Sequence, residues 1–465
     1  MEKFDVTVIG AGPGGYPAAI RAAQLGASVA IVEKEKLGGT CLNWGCIPTK
    51  TLIASSGLFD RMKNAEELGL SAANASFDYL TIAKRKNDVV AKLGQGVEML
   101  LKSNGVTIFN GTASFLSRNK ISVKNGKSET TIETGSTIIA TGSESAMPGF
   151  IPKHTRVLES RQFLDLRALP ENIIVLGGGV IGCEFACMAA QLGSKVTIAE
   201  LLDDILIMLD SDIRREARHH MEEKIGIEIL TGSAMENIKA DKNGVSGKVG
   251  EKEIKGDILL VSVGRRPVTE DLHLEKADLA VNEAGFIEVD EYCRTSTATI
   301  YAIGDVTAGS TQLAHAATSQ GITAAENAST KTRNSMEAIV PACIFTAPEI
   351  GSVGLSEQDA KEQELSVKIG KYAFSGLGKA MAAGETNGFV KWVVDAETDQ
   401  LLGAHAVGPH ATELVSEAVV AIRNELTATE LGTTIHCHPT FSEAWMEAAH
   451  AVHGKCIHQP AKRKK

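Results

Sequence analysis

The sequence predicts an α/β protein with two Rossmann-like dinucleotide-binding units and a third, C-terminal region. Two observations carry this prediction. One is an internal repeat of strand, glycine-rich turn, helix and second strand; the other is a length of 465 residues, enough for roughly two to four domains. Residues 5–34 overlay residues 172–201 with a constant offset of 167 and no gap.

In the first copy, Asp5-Val6-Thr7-Val8-Ile9 runs into Gly10, Gly12, Gly14 and Gly15, and Val29-Ala30-Ile31-Val32 ends on Glu33. In the second, Ile173-Ile174-Val175-Leu176 runs into Gly177, Gly179, Val180, Ile181 and Gly182, and Val196-Thr197-Ile198-Ala199 ends on Glu200. Glycines in this pattern serve a tight turn, close approach of backbone to a pyrophosphate, and helix-to-strand packing. The phosphates then face free N–H groups at a helix N-terminus. Glu33 and Glu200 each stand 18 residues after the last motif glycine, where a carboxylate accepts hydrogen bonds from ribose hydroxyls. One such motif can be an ordinary turn. Two in register, each ending on Glu, point to two dinucleotides. The run Glu200-Leu201-Leu202-Asp203-Asp204 holds three acids and no base, which disfavours a 2′-phosphate at the second site.

Just past the first copy, Gly38-Gly39-Thr40-Cys41-Leu42-Asn43-Trp44-Gly45-Cys46-Ile47-Pro48-Thr49-Lys50 places two thiols five positions apart. Cys46 and Pro48 suit the opening of a helix, and a helix N-terminus favours a thiolate. The pair can bridge with its sulfurs accessible; the residues alone also allow two ordinary buried thiols. Near the other end, His436-Cys437-His438-Pro439-Thr440-Phe441-Ser442-Glu443 sets an imidazole beside a carboxylate that can orient it, as general-base chemistry on a thiol requires. His436 and Cys437 read as neighbours. A metal site among the histidines near 436–458 competes, without the thiolate or acid spacing that would favour it, and no metal is expected.

The 57 acidic and 47 basic residues give a net charge of −10, which argues against nucleic acid and anionic membranes as partners. The basic run Lys462-Arg463-Lys464-Lys465 reads as a solvated tail. No charged leader precedes the first strand, and the longest apolar region, residues 173–193, contains Glu184 and the glycine cluster Gly177-Gly178-Gly179, so a cytoplasmic protein without a membrane span is expected. Cys183, Cys187, Cys293, Cys343 and Cys456 read as small core or surface residues.

Residues 38–50, the paired glycine motifs, Thr295-Ser296-Thr297-Ala298-Thr299-Ile300-Tyr301-Ala302-Ile303-Gly304-Asp305 and the His438 segment together resemble the flavoprotein disulfide reductases of the pyridine nucleotide-disulfide oxidoreductase family. Within that family the resemblance is to the members that oxidise dihydrolipoamide. It extends from about residue 4 to about residue 458 and includes Gly376-Leu377-Gly378-Lys379-Ala380 and the segment after Glu443. Departures are Trp44 and Thr49, where the family shows Val and Ser, and Ala316-Ala317-Thr318-Ser319-Gln320, where it shows Lys and acids.

The resemblance implies FAD at the first glycine motif and NAD at the second, with a C-terminal α+β dimerisation domain. The exits Ile138-Ile139-Ala140-Thr141-Gly142-Ser143 and Leu259-Leu260-Val261-Ser262-Val263-Gly264-Arg265-Arg266-Pro267 then divide the chain. Residues 1–143 and 265–335 form the FAD domain, 144–264 the NAD domain and 336–465 the interface domain.

The resemblance also makes Cys41 and Cys46 a redox disulfide, Cys41 taking the substrate sulfur and Cys46 facing the flavin. His438 becomes the base, Glu443 its partner, and Lys50 and Glu184 a pair beside the flavin. Further FAD contacts fall on Gly10, Gly12, Gly14, Gly15, Glu33, Lys34, Gly39, Thr40, Lys50, Ala113, Thr141, Gly142, Asp305, Leu313, Ala314 and His315, although His315 reads equally as a helix-start residue bonded to backbone. NAD contacts fall on Gly177, Gly179, Val180, Ile181, Gly182, Glu184, Glu200, Gly264 and Arg265. The expected partners are a second copy of the chain and the lipoyl domain of a 2-oxoacid dehydrogenase acyltransferase or of the glycine-cleavage carrier. The alternatives are an NADPH-dependent disulfide reductase such as glutathione reductase, and a flavin- and NAD-binding protein without turnover.

Overall fold

A computed structural model describes residues 2–460 apart from 73 and 331, so the basic run at 462–465 lies outside the described residues. The first apolar repeat forms β1 (Glu2–Ile9) and β2 (Val29–Glu33), joined by α1 (Gly15–Gln24). With β3 (Thr107–Asn110), β4 (Thr112–Ser117), β5 (Lys120–Asn125) and β6 (Ser128–Ile139) they build a sheet in the order β3-β2-β1-β6-β5-β4. β1 pairs in parallel with β2 and β6, and Ile9 lies between Val32 and Ile139. Strands buried on both faces need helices on both sides, and the unbroken burial of β2 reflects this. On α1 the buried face is small, Ala18, Ala19 and Ala22. The later α8 (Ala314–Ser329) presses against it so closely that a Cβ on Gly321 would stand 2.3 Å from the Gly14 carbonyl oxygen. The redox segment forms α2 (Gly39–Trp44) and α3 (Cys46–Lys63), and α4 (Tyr79–Ser103) covers them.

Two short strands, β7 (Ser143–Ser145) and β16 (Arg265–Pro267), pair antiparallel and carry the chain into and out of the second unit. That unit holds β8 (Val157–Glu159), β9 (Asn172–Leu176), β10 (Lys195–Ala199), β11 (Glu228–Leu230) and β15 (Ile258–Val261), all parallel, in the order β11-β10-β9-β15-β8. Its helices are α5 (Ser160–Leu164), α6 (Val180–Gln191) and α7 (Ser211–His220). A separate antiparallel sheet of β12 (Met235–Asp241), β13 (Gly244–Val249) and β14 (Lys252–Gly256) lies between β11 and β15 in sequence. After it, β17 (Ile300–Ala302) returns to the first sheet beside β6.

The C-terminal part is an antiparallel sheet of β18 (Ala342–Ile344), β19 (Ile350–Gly354), β20 (Val367–Ala373), β21 (Phe389–Asp395) and β22 (Leu401–Val407), in the order β18-β19-β22-β21-β20. Its helices are α9 (Glu357–Glu362), α10 (Gly378–Ala383), α11 (Ala411–Arg423), α12 (Ala428–Thr433) and α13 (Glu443–Val452). Two buried tryptophans tie sheet to helices: Trp392 Nε1 donates to the Trp445 carbonyl at 3.1 Å and Trp445 Nε1 to the Leu414 carbonyl at 3.0 Å. Among the described residues no helix is long and apolar enough to cross a membrane.

One polar cluster fastens this part to the second unit. Lys391 of β21 is fully buried and donates to both carboxylate oxygens of Asp210 at 3.0 Å, to Asp212 at 3.2 Å and to Glu357 at 2.7 Å. Burial by itself would raise the Asp210 pKa and lower that of Lys391, but the hydrogen bonds between opposite charges prevail, and Asp210 titrates below and Lys391 above its ordinary range. The Asp210 contribution to stability is therefore complete above the ordinary carboxylate range and fades as pH falls through its lowered value. The Lys391 contribution is complete below the ordinary lysine range and fades as pH rises through its raised value.

Lys391→Met should leave Asp210 buried without its counter-charge and remove on the order of 3–5 kcal/mol of stability, seen as a lower urea midpoint. Adding Asp210→Asn should recover part of the loss. An unchanged midpoint in the single variant would contradict a role for this cluster in holding the two parts together.

Candidate functional site

The two glycine turns repeat down to individual hydrogen bonds. Gly10 (φ +100°) and Gly177 (φ +105°) adopt the conformation that favours glycine, and a Cβ there would meet the carbonyl oxygens of Ala140 at 2.3 Å and Ser262 at 2.5 Å. Glu33 accepts from the N–H groups of Ala11 and Glu35, each at 2.8 Å. Glu200 accepts from Gly178 at 2.6 Å and Leu202 at 2.8 Å, the residues related to Ala11 and Glu35 by the same offset of 167. Each acid is thus pinned at the mouth of its own turn.

Both turns fit a dinucleotide. Neither α1 nor α6 has a side-chain cap, so the N–H groups of their first turns remain for an anion. At the first site Gly39 (φ +58°) abuts Gly12 so tightly that a Cβ would stand 2.6 Å from its Cα, which leaves a wall of bare backbone. At the second, a Cβ on Gly179 would meet nothing within 4 Å, so the space before α6 is open. Val180 and Ile181 begin that helix and Gly182 follows, while Gly14 and Gly15 occupy the corresponding place at α1. The structure adds bases near Glu200 that were not apparent from the linear run: α7 brings Arg214 and Arg218 to Asp204 at 3.2 and 3.1 Å.

The redox segment folds because α2 stops at Gly45 and α3 starts at once with Cys46. Asn43 Nδ2 donates to the carbonyls of Leu37 and Gly39, both at 3.0 Å, and buried Leu42 anchors the short helix. Cys41 and Cys46 are joined by a disulfide with their Cα atoms 4.6 Å apart. Pro48 lies in the first turn of α3, and Thr49 is buried. Thr40 and Lys34 are exposed. Trp44 carries the Arg161 guanidinium 3.8 Å above its ring, and Arg161 also pairs with Glu35 at 3.1 Å.

One turn beyond Cys46, Lys50 reaches Glu184 on α6 with Nζ 2.9 and 2.8 Å from the two carboxylate oxygens. Glu184 is buried, and it also accepts the Phe345 N–H at 2.9 Å. Lys50 Nζ lies 4.8 Å from the Phe345 ring. First unit, second unit and C-terminal part therefore meet at one carboxylate.

At the same end of the first sheet as the Gly10 turn, Asp305 lies in a 3-10 turn, Gly304–Val306, after β17. Its Oδ2 accepts the Ser143 hydroxyl at 2.6 Å. Gln320, one of the departures, accepts the Gly304 N–H at 2.7 Å. Thr141 donates its hydroxyl to the Val268 carbonyl, and Gly142 accepts the Val268 N–H. Ala113 is buried in β4. Leu313 and Ala314 open α8, and exposed His315 binds the Pro341 carbonyl through Nε2 at 2.6 Å, the geometry of a helix-start residue tied to backbone. Gly264 is glycine at φ +119°, and Arg265 turns toward Ser143 and Asp305.

His438 Nδ1 lies 2.8 Å from Glu443 Oε1, and the Thr440 N–H holds the other oxygen at 2.8 Å. A carboxylate only accepts, so the proton sits on Nδ1 and the Nε2 lone pair is left free. The imidazole is 75% exposed, and no hydrogen bond among the described residues joins it to Cys41 or Cys46 of its own chain. The neighbouring histidines go to separate acids: His436 to Glu417 at 2.6 Å, His453 to Asp399 at 3.0 Å and His458 to Glu447 at 2.6 Å. The Glu417 hydrogen bond raises the pKa of His436. No group of three or more His, Cys, Asp or Glu residues that could hold a metal occurs among the described residues.

Comparison with known proteins assigns both halves of this arrangement. Residues 4–321 match the family described as pyridine nucleotide-disulphide oxidoreductase, and residues 340–449 match that family's dimerisation domain. A dihydrolipoyl dehydrogenase of Chlamydia pneumoniae is 42% identical, covering 99% of this chain and 99% of the relative. One of Bacillus subtilis is 42% identical, covering 98% and 99%. The crystal structure of LpdA from Mycobacterium tuberculosis superposes with a TM-score of 0.90 at 27% identity, covering 97% of this chain and 99% of that one.

The thiols are separable by chemistry. Cys183, Cys187 and Cys293 are buried, and burial pushes Cys187 and Cys293 up to about 12. Alkylation of the folded protein followed by peptide mass spectrometry should leave all three unlabelled with or without mild reductant, while Cys41 and Cys46 should label only after reduction. Labelling of Cys41 and Cys46 in the untreated protein would contradict the bridge.

Proposed function

Because the chain belongs to the pyridine nucleotide-disulphide oxidoreductase family, we propose that it is a dihydrolipoyl dehydrogenase, oxidising protein-bound dihydrolipoamide and reducing NAD. The observation that carries this reading is the Cys41–Cys46 bridge at the start of α3, one turn from the Lys50–Glu184 pair that joins it to the second nucleotide helix. Bound FAD supplies the two-electron relay between thiols and nicotinamide.

In this reading His438 Nε2 takes the proton of a substrate thiol, and the thiolate attacks Cys41 Sγ. The Cys41–Cys46 bond breaks and Cys46 leaves as a thiolate. The second substrate sulfur then displaces Cys41, closing the lipoyl disulfide and leaving both protein sulfurs reduced. Overall one dithiol loses two electrons and two protons; the electrons and one proton reach NAD as hydride, and the other proton goes to solvent. Glu443 keeps the imidazole in the tautomer with Nε2 free and stabilises its charged form.

The bare backbone at Gly12 and Gly39, the α1 N-terminus, Glu33 and Asp305 would hold FAD, with Gly10, Gly14, Gly15, Lys34, Thr40, Ala113, Thr141, Gly142, Leu313, Ala314 and His315 around it. Gly177, Gly179, Val180, Ile181 and Gly182 would hold the pyrophosphate of NAD, with Gly264 at the opposite wall and Glu200 on the ribose. Arg214 and Arg218 are each paired with Asp204, and Glu200 stands as the acid of the second turn, which disfavours an NADPH-dependent disulfide reductase. The exposure of His438 and the lack, among the described residues, of a hydrogen bond to Cys41 or Cys46 of its own chain support a homodimer in which each subunit supplies the base to its partner. The physiological substrate would be the lipoyl domain of an acyltransferase or glycine-cleavage carrier, in the cytoplasm.

Purified protein should form NADH from dihydrolipoamide and should show little NADPH oxidation with oxidised glutathione; the reverse preference would overturn the assignment. His438→Gln should slow the lipoamide reaction roughly 10²–10⁴-fold. NADH oxidation by an artificial acceptor needs no thiol base and should survive. Equal loss of both activities would mean that His438 serves the fold or the dimer.

A further inference from the structure

We infer that Arg265, acting through Ser143, is a positioning residue for the carboxylate of Asp305, so that the hold on FAD is set at the crossing between the two nucleotide units. The inference rests on the reading of Asp305 as a flavin ligand. It moves Arg265 from the NAD side, where family resemblance places it, to the flavin side.

The geometry is directional. Arg265 Nε donates to Ser143 Oγ at 2.7 Å and Nη2 donates to the Ser143 carbonyl at 2.6 Å, so one guanidinium grips one residue at two points. A serine hydroxyl has a single proton. Because Ser143 Oγ accepts from Arg265, that proton goes to Asp305 Oδ2, 2.6 Å away. Arg265 Nε also lies 3.8 Å from the same Oδ2, with the two side chains only 14% and 23% exposed, so the attraction is weakly screened. Asp305 Oδ1 has no hydrogen bond among the described residues and remains for a ligand hydroxyl. The other acids near Arg265 have partners of their own. Glu144 pairs with Arg266 at 2.5 Å, and Glu159 accepts Ser145 and caps α5.

The placement couples two bodies. β7 and β16 carry the chain into and out of the second unit, and their antiparallel register sets Pro267 opposite Ser143 and Arg265 opposite Ser145. A shift of one unit against the other moves Arg265 relative to Ser143 and changes how Asp305 is held. Arg265 thus spends Nε and Nη2 on Ser143, at the exit of the first unit.

FAD release from diluted holoprotein, followed by the rise in flavin fluorescence, tests this. Arg265→Gln should speed release about 10–100-fold, the effect of losing charge-assisted hydrogen bonds, and Arg265→Lys should fall between it and the parent. Ser143→Ala should speed release as well and provides the test if the arginine variants do not fold. The KM for NAD should change little. In an Asp305→Asn background, Arg265→Gln should add almost nothing. Normal FAD retention with a raised KM for NAD would overturn the inference, as would an equal loss in both backgrounds, which would mean that Arg265 only supports the fold. If Asp305→Asn alone retains FAD normally, the reading of Asp305 falls and takes the inference with it.

Discussion

The Lys50–Glu184 pair is the contact on which the remaining geometry depends. A carboxylate as buried as Glu184 is costly without a counter-charge, and it obtains one only if α3 and α6, from different nucleotide units, lie side by side. The Phe345 N–H adds a third party from the C-terminal part. Cys46 and Lys50 are four residues apart on α3 and so share one face, and Glu184 is two residues past the last glycine of the second turn. Satisfying this one carboxylate therefore brings the disulfide-bearing end of α3 to the mouth of the second nucleotide site.

Around that contact the two units repeat one plan and differ at their rims. The strand, glycine turn and acid repeat down to the N–H groups that pin Glu33 and Glu200. The first unit gains the close backbone approach of Gly39 and a late strand that delivers Asp305; the second gains Asp204 with its two arginines. A common scaffold for dinucleotide phosphates thus carries different groups for the rest of each ligand.

Much of this was legible in the sequence because local and periodic signals encode it. Apolar strands ending in glycine turns, two thiols beside a helix start and a His-Glu pair within six residues all announce themselves over short windows. Polar contacts between distant segments leave no such mark. Arg161 stacks on Trp44 from 117 positions away, and Lys391 is bonded to Asp210 across 181 positions. The run after Glu200 shows no base, yet one turn of chain and α7 fold Arg214 and Arg218 back onto Asp204. The bonds of Ser143, legible only as part of a domain exit, and the partner role of Glu417 left no mark for the same reason, and the sheet of β12, β13 and β14 lay outside every motif.

The central claim, that α3 and α6 work as one centre through Lys50 and Glu184, is tested most directly by a double-mutant cycle on the NADH-lipoamide reaction with Lys50→Met and Glu184→Gln. Coupled residues should show an interaction energy of about 0.5–3 kcal/mol, the double variant costing little more in kcat/KM than the worse single variant. Costs that simply add would mean that the two residues act independently and would contradict the account.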